Sequence, residues 1–188
     1  MAVIAETIPE SKLPDRYEVV NGEIVEVPAM GAYASEIANR IRDGLAEYGR
    51  RTGIGRPRMD VLYKLPLRND QSRNRRPDVA FVSFDRWPED RPMSYSGNPI
   101  DVVPELMVEV ASPTDVADDI FAKALEYLDA GAKIVWVVVP RVRMCYIFDS
   151  EGAPRVIRAE GSLDGGTTFT DLSVPMTGLF PPMTIDEA

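Results

Sequence analysis

Between Pro104 and Pro113 the chain reads Glu105-Leu106-Met107-Val108-Glu109-Val110-Ala111-Ser112, and no other stretch restricts the fold as tightly. Five apolar residues enclose one carboxylate. An apolar run of this length, bounded by prolines, reads as a strand covered on both faces. A carboxylate inside such a strand loses its hydration, which costs several kcal/mol unless a cation, a hydrogen-bond donor or a proton compensates. The fold must therefore bring Glu109 a partner.

Composition narrows what that partner can be. The sequence has no histidine and a single cysteine, Cys145. This excludes Ser-His-Asp and Cys-His catalysis and every histidine-bearing zinc site. Any metal would be held by oxygen atoms, which favours hard cations such as magnesium, manganese or calcium. Cys145 sits in an apolar run and reads as a small packed hydrophobe. One cysteine rules out an intramolecular disulfide and fits a reducing compartment. Residues Met1 to Pro14 lack a basic start followed by an apolar core, and no apolar run approaches the roughly 20 residues of a membrane span. A cytoplasmic protein is expected, with an arm over residues 1–15 and one domain over 16–188.

Along the chain, Arg16 to Val20 and Glu23 to Val27 flank Asn21-Gly22, a strong hairpin signal. Ile37, Ile41, Leu45 and Tyr48 recur at helical spacing from about Ala32 to Thr52, with Gly53 and Gly55 ending the helix. Arg58 to Leu67 reads as a strand and Arg68 to Arg76 as a polar turn. Pro77 to Phe84 is a second apolar strand with Asp78 near its start. Residues 85–104 form an irregular loop of a kind that often lines a site. A helix is expected from about Asp115 to Asp129, capped by Thr114 or Asp115 and stopped at Gly131. Lys123 lies at the edge of its apolar half, where a lysine can lay its stem on apolar surface and send its ammonium past the helix. Ile134 to Val139 is a buried strand, paired with Val142 to Phe148, and Gly152 to Ile157 continues the meander. Gly161 to Gly166 reads as a flexible turn, followed by short irregular strands over Thr167 to Ile185.

Asp78, Glu109 and Lys123 fit together chemically. Two carboxylates can hold one hard cation, which polarises a phosphoryl oxygen and lowers the pKa of bound water. A nearby ammonium stabilises developing charge or positions the attacking water. Phosphodiester hydrolysis needs these parts, and the cation would supply the partner that Glu109 lacks. Charge is also unevenly spread. The net charge is −9, yet Arg40 to Arg76 holds eleven Lys or Arg against four Asp or Glu, or +7. Such a segment is compatible with a localised polyanion-facing surface, or with a solvated basic face.

The segments Arg16 to Val25, Arg76 to Val82 and Pro104 to Thr114 resemble the Uma2 family of restriction-endonuclease-like proteins. So does the set Asp119, Lys123, Tyr127, Ala130-Gly131-Ala132 and Trp136. The pieces stand in the family's order over about Arg16 to Phe148. The resemblance implies the PD-(D/E)XK nuclease fold, an α/β (α+β) domain with a mixed central sheet flanked by helices, preceded here by the N-terminal hairpin. It also implies a divalent cation (Mg²⁺ or Mn²⁺), a DNA substrate and a homodimer. By position, Asp78 matches the family's aspartate and Glu109 its second acid, with the Val110 carbonyl as a third ligand. Lys123 stands for the lysine, which in the wider superfamily would fall at Ala111. Many members carry a histidine near the first helix start, where this chain has Tyr33-Ala34-Ser35-Glu36, and Glu36 could take over that polar role. Arg58, Arg73, Arg75 and Arg76 are the candidate nucleic-acid contacts.

Each residue also has a plainer reading. Asp78 could be satisfied by backbone N–H groups or an arginine, and Glu109 by a structural ion pair. Lys123 could form a surface pair with Asp119. Glu36 and Glu23 could be solvated, and Tyr127 and Trp136 core. The corresponding rival function is a catalytically weak or inactive nuclease-fold module acting in nucleic-acid binding or protein interaction.

Overall fold

The computed structural model describes residues 13–93 and 99–182. Most of the expected arm, part of the 85–104 loop and the last residues lie outside these.

Tyr17–Val20 (β1) and Glu23–Glu26 (β2) form the expected hairpin. Asn21 and Gly22 have φ of 53° and 79°, the positive pair that a two-residue turn of matching twist requires. Helix α1 (Ala32–Thr52) buries Ile37, Ile41, Leu45 and Tyr48 and ends in a left-handed Gly53. Gly55 does not belong to that stop. It opens β3 (Gly55–Met59), which pairs antiparallel with β6 (Val79–Ser83).

The strand expected over 58–67 is therefore two strands. Asp60 adopts a φ of 52° and turns the chain, its carboxylate held by Arg16 and Arg76. Beyond it, β4 (Tyr63–Lys64) joins a different sheet. The polar turn over 68–76 contains a short strand, β5 (Asn74–Arg75), which bridges β4 to β1. Then come β7 (Leu106–Val110), α2 (Ala117–Asp129) and β8 (Ile134–Val139). Helix α2 begins two residues later than expected, and neither Thr114 nor Asp115 caps it. Val116 holds the cap position without a side-chain bond, while Asp115 accepts from the Ser112 N–H at 2.7 Å.

The meander follows as β9 (Met144–Asp149) and β10 (Arg155–Ile157). The expected turn over 161–166 is largely a strand, β11 (Ser162–Gly165), paired with β12 (Phe169–Pro175). Leu163 drives this, being fully buried against α1 and the main sheet.

The central sheet has the order β10-β9-β8-β7-β6-β3. Only β7 and β8 are parallel, joined through α2 as a βαβ unit. A smaller sheet, β2-β1-β5-β4, lies apart. Strand alternation divides the core in two. Val79, Phe81, Leu106, Val108, Val110, Ile134, Trp136 and Val138 face α1 and the β11–β12 hairpin. Ala80, Val82, Met107, Val135 and Val137 face α2. Both faces are covered, which explains the unbroken apolar runs.

Where α1 crosses β3 the backbones nearly touch. A Cβ on Gly49 would stand 2.4 Å from the Gly55 carbonyl oxygen, and one on Gly55 2.4 Å from that of Val82. Gly49→Ala or Gly55→Ala is expected to lower stability by about 1–3 kcal/mol through overpacking, read from urea unfolding.

Candidate functional site

Antiparallel pairing of β6 with β7 sets the start of one strand beside the end of the other. Asp78 precedes β6, and Glu109 is the penultimate residue of β7. Both have the parity of the α2-facing residues, so both carboxylates lie on that face. Asp78 Oδ2 accepts from the Val110 N–H at 2.7 Å. Continuing the β6–β7 register places Val110 opposite Pro77, which has no N–H to give. The Val110 carbonyl, on the same strand edge as its N–H, thus has no ladder donor opposite it.

Glu109 is 6% exposed and receives two partners from α2. Tyr127 donates its hydroxyl to Oε1 in a short hydrogen bond, and Lys123 Nζ stands 3.5 Å from Oε2. These residues are four apart and reach down from one face of the helix. Lys123 does not pair with Asp119. Its closer contact is Glu18 Oε1 at 3.1 Å, from the hairpin strand β1. Glu18 is itself 3% exposed, paired with Arg75 at 2.6 Å and accepting from the Arg76 N–H at 3.0 Å. Arg75 goes on to Glu126 of α2 at 2.7 Å.

The ionisation states follow from this arrangement. Burial, with the charge of Glu109 behind it, pushes Asp78 up to about 7. Burial also raises Glu109, against the opposing pull of Lys123 and Tyr127. Burial alone would raise Glu18 too, but Lys123, Arg75 and the Arg76 N–H together hold it below its ordinary value. Lys123 would be lowered by burial, yet Glu109 and Glu18 keep it above the ordinary lysine range. The one lysine is shared between two acids, and Glu18, which also has an arginine, is the better compensated.

Beside this cluster a cleft of about 780 Å³ opens between the hairpin and α2. Glu18, Glu109 and Lys123 line it; Asp78 does not. Among the described residues no group of three or more His, Cys, Asp or Glu side chains could hold a metal. A cation at the Asp78–Glu109 pair would draw on two carboxylates and the Val110 carbonyl. This oxygen-only set suits a hard cation, which would also relieve the repulsion that raises Asp78.

The structure does not bring every candidate to this point. Glu36 is exposed on the second turn of α1, paired with Arg40 at 2.8 Å. Arg73 pairs with Asp70 and Glu126 and its side chain is 7% exposed, while Arg75 and Arg76 are held by Glu18, Glu126 and Asp60. These three arginines neutralise the protein's own acids. Arg58 has no carboxylate partner among the described residues and lies over the Trp87 ring. Sequence reasoning missed Glu18, Glu126 and the hydroxyl of Tyr127. The i, i+4 spacing of Lys123 and Tyr127 was a usable signal; nothing local marks Glu18 as buried.

A mixed central sheet with α1 on one face and α2 on the other is a restriction-endonuclease-like core. A solved structure supports the fold: a "putative nuclease belonging to DUF820" from Anabaena variabilis matches with a TM-score of 0.75 at 17% identity, covering 90% of this chain and 94% of that one. The family model described as "Uma2: Putative restriction endonuclease" matches residues 6–177, so the chain belongs to the Uma2 family. No curated protein matches significantly.

Two outcomes test this geometry. Asp78 has a folded pKa above its ordinary 3.8, so the folded state holds the proton more tightly. Its contribution to stability is therefore present in acid and lost as pH rises through about 7. In chelator, Asp78→Asn should unfold at higher urea than wild type at alkaline pH, with the difference vanishing in acid. Lys123→Met strands two buried acids and should cost about 3–5 kcal/mol at neutral pH. Adding Glu109→Gln should recover part of that loss by the same assay.

Proposed function

We propose that this protein is a divalent-cation-dependent endonuclease that hydrolyses DNA phosphodiester bonds, acting in the cytoplasm as a homodimer. The observation that carries the reading is the convergence of Asp78, Glu109 and Lys123 on one face at one end of the central sheet. Asp78, Glu109 and the Val110 carbonyl would hold Mg²⁺ or Mn²⁺. When bound, that ion polarises a phosphoryl oxygen and lowers the pKa of a coordinated water. Asp78 is held in place by the Val110 N–H, and Glu109 by Tyr127. Lys123 has three N–H donors and directs two towards Glu18 and Glu109. The third is left to position the attacking water or stabilise charge on the phosphate. Among the described residues no helix is long and apolar enough to cross a membrane.

A second reading, a weak or inactive module that binds nucleic acid or protein, is favoured by one observation. The cleft beside the site is lined by six acids and three bases, which opposes a polyanion entering there. Cleavage of supercoiled, linear, branched and single-stranded DNA, with manganese, magnesium or chelator, separates the two. On the nuclease reading, cutting needs the metal, and Asp78→Ala and Glu109→Gln each lower it on the order of a hundredfold or more. Metal-dependent cutting that survives Asp78→Ala would sink the assignment. Binding without cutting in every lane would leave the module reading.

A further inference from the structure

The arginines of this acidic chain fall into two groups. Arg16, Arg40, Arg42, Arg73, Arg75, Arg76, Arg86 and Arg155 each meet a carboxylate. The rest meet none among the described residues, and three of these, Arg56, Arg58 and Arg91, stand together around the edge strand β3 and the rings of Phe84 and Trp87. The guanidiniums of Arg58 and Arg91 lie 5.8 Å and 4.1 Å from the Trp87 ring centroid, and that of Arg56 5.8 Å from Phe84. Among the described residues Arg58 Nη2 is buried without a hydrogen-bond partner, and its Nη1 reaches the Met93 sulfur at 3.2 Å. Arg56 offers one long bond, 3.4 Å, to the Glu89 carbonyl. Burial holds the Arg58 guanidinium below its ordinary pKa, and Arg56 adds like-charge repulsion. In a protein of net charge −9, three clustered arginines without acids leave a place for an anion from outside.

Their placement says where such an anion would lead. Register sets Arg56 opposite Val82 and Arg58 opposite Ala80, both on the α2-facing side of the sheet. That is the face of Asp78 and Glu109. One step further along, the Asp60 N–H donates to the Asp78 carbonyl at 3.2 Å. The edge strand thus runs from the Asp78 backbone past Arg58 to Arg56, with successive same-face side chains about 7 Å apart. Among the described residues β3 is the last strand on that side of the central sheet, and Arg56 and Arg58 on it are partly exposed. The opposite approach, through the cleft between the hairpin and α2, is acid-lined.

We infer that Arg56, Arg58 and Arg91 form a tract for the phosphodiester backbone of a DNA strand, which reaches the Asp78–Glu109 site along the β3 edge rather than through the cleft. This rests on the nuclease reading for what the tract serves, but not for whether DNA binds there.

The test is anisotropy of a labelled DNA duplex titrated with protein in chelator, at several salt concentrations between about 50 and 200 mM. It compares wild type, Arg56→Gln/Arg91→Gln, Arg58→Lys and the exposed Arg68→Gln as a single charge change elsewhere. Arg56→Gln/Arg91→Gln should weaken binding roughly tenfold and reduce the slope of log affinity against log salt by about 2. Arg58→Lys retains charge at the ring and should weaken binding less. Arg68→Gln should leave affinity and slope near wild type. No DNA binding by wild type overturns the inference. So does an equal loss with Arg68→Gln, or an unchanged slope in the double variant. If binding follows the tract but wild type never cuts DNA with added metal, the nuclease reading fails while the tract stands. If wild type cuts and the tract variants bind as wild type does, the tract alone fails.

Discussion

A carboxylate sealed inside a central strand is the constraint around which this molecule is assembled. Glu109 cannot be ionised there without compensation, and the compensation comes from elements distant in sequence. Lys123 and Tyr127 descend from α2, the crossover that β7 and β8 need to run parallel. The same lysine reaches Glu18, and Glu18 reaches Arg75 and, through it, Glu126. One alternating chain of charges ties the small sheet, the crossover helix and the central sheet together. Deleting one member does not remove one interaction; it leaves its neighbours buried and unmatched.

How well the sequence announces these features depends on whether the cause is local. The Asn21-Gly22 hairpin, α1 and the strands around Val79, Leu106 and Ile134 are dictated by turn chemistry and apolar periodicity, and the structure has them. The breaks are set by tertiary context. Asp60 turns left-handed because Arg16 and Arg76 receive its carboxylate, and neither is near it in sequence. Asn74–Arg75 pairs as a strand because β1 and β4 flank it. Leu163 recruits a strand from a glycine-bounded segment because α1 and the central sheet present an apolar surface there.

The site divides in the same way. An acid inside an apolar run is visible to inspection, and so is a lysine on the margin of an amphipathic helix. Glu18 is not, because a strand of four residues beside a turn looks the same whether its acid meets water or a lysine. The basic stretch shows the opposite failure. Counting charges between Arg40 and Arg76 finds a positive segment. Only the fold distinguishes arginines that answer buried acids, such as Arg73 and Arg75, from those that meet none among the described residues, such as Arg56 and Arg58.

That Glu18 arrives from the small sheet has a consequence for what fixes Lys123. The central sheet supplies one of the two acids that the ammonium meets, and β1 supplies the other. The position of that ammonium is therefore a property of how the two sheets are docked and not of either alone. Any shift of the hairpin against α2 would be felt first at Lys123, before a single hydrogen bond of the central sheet is broken.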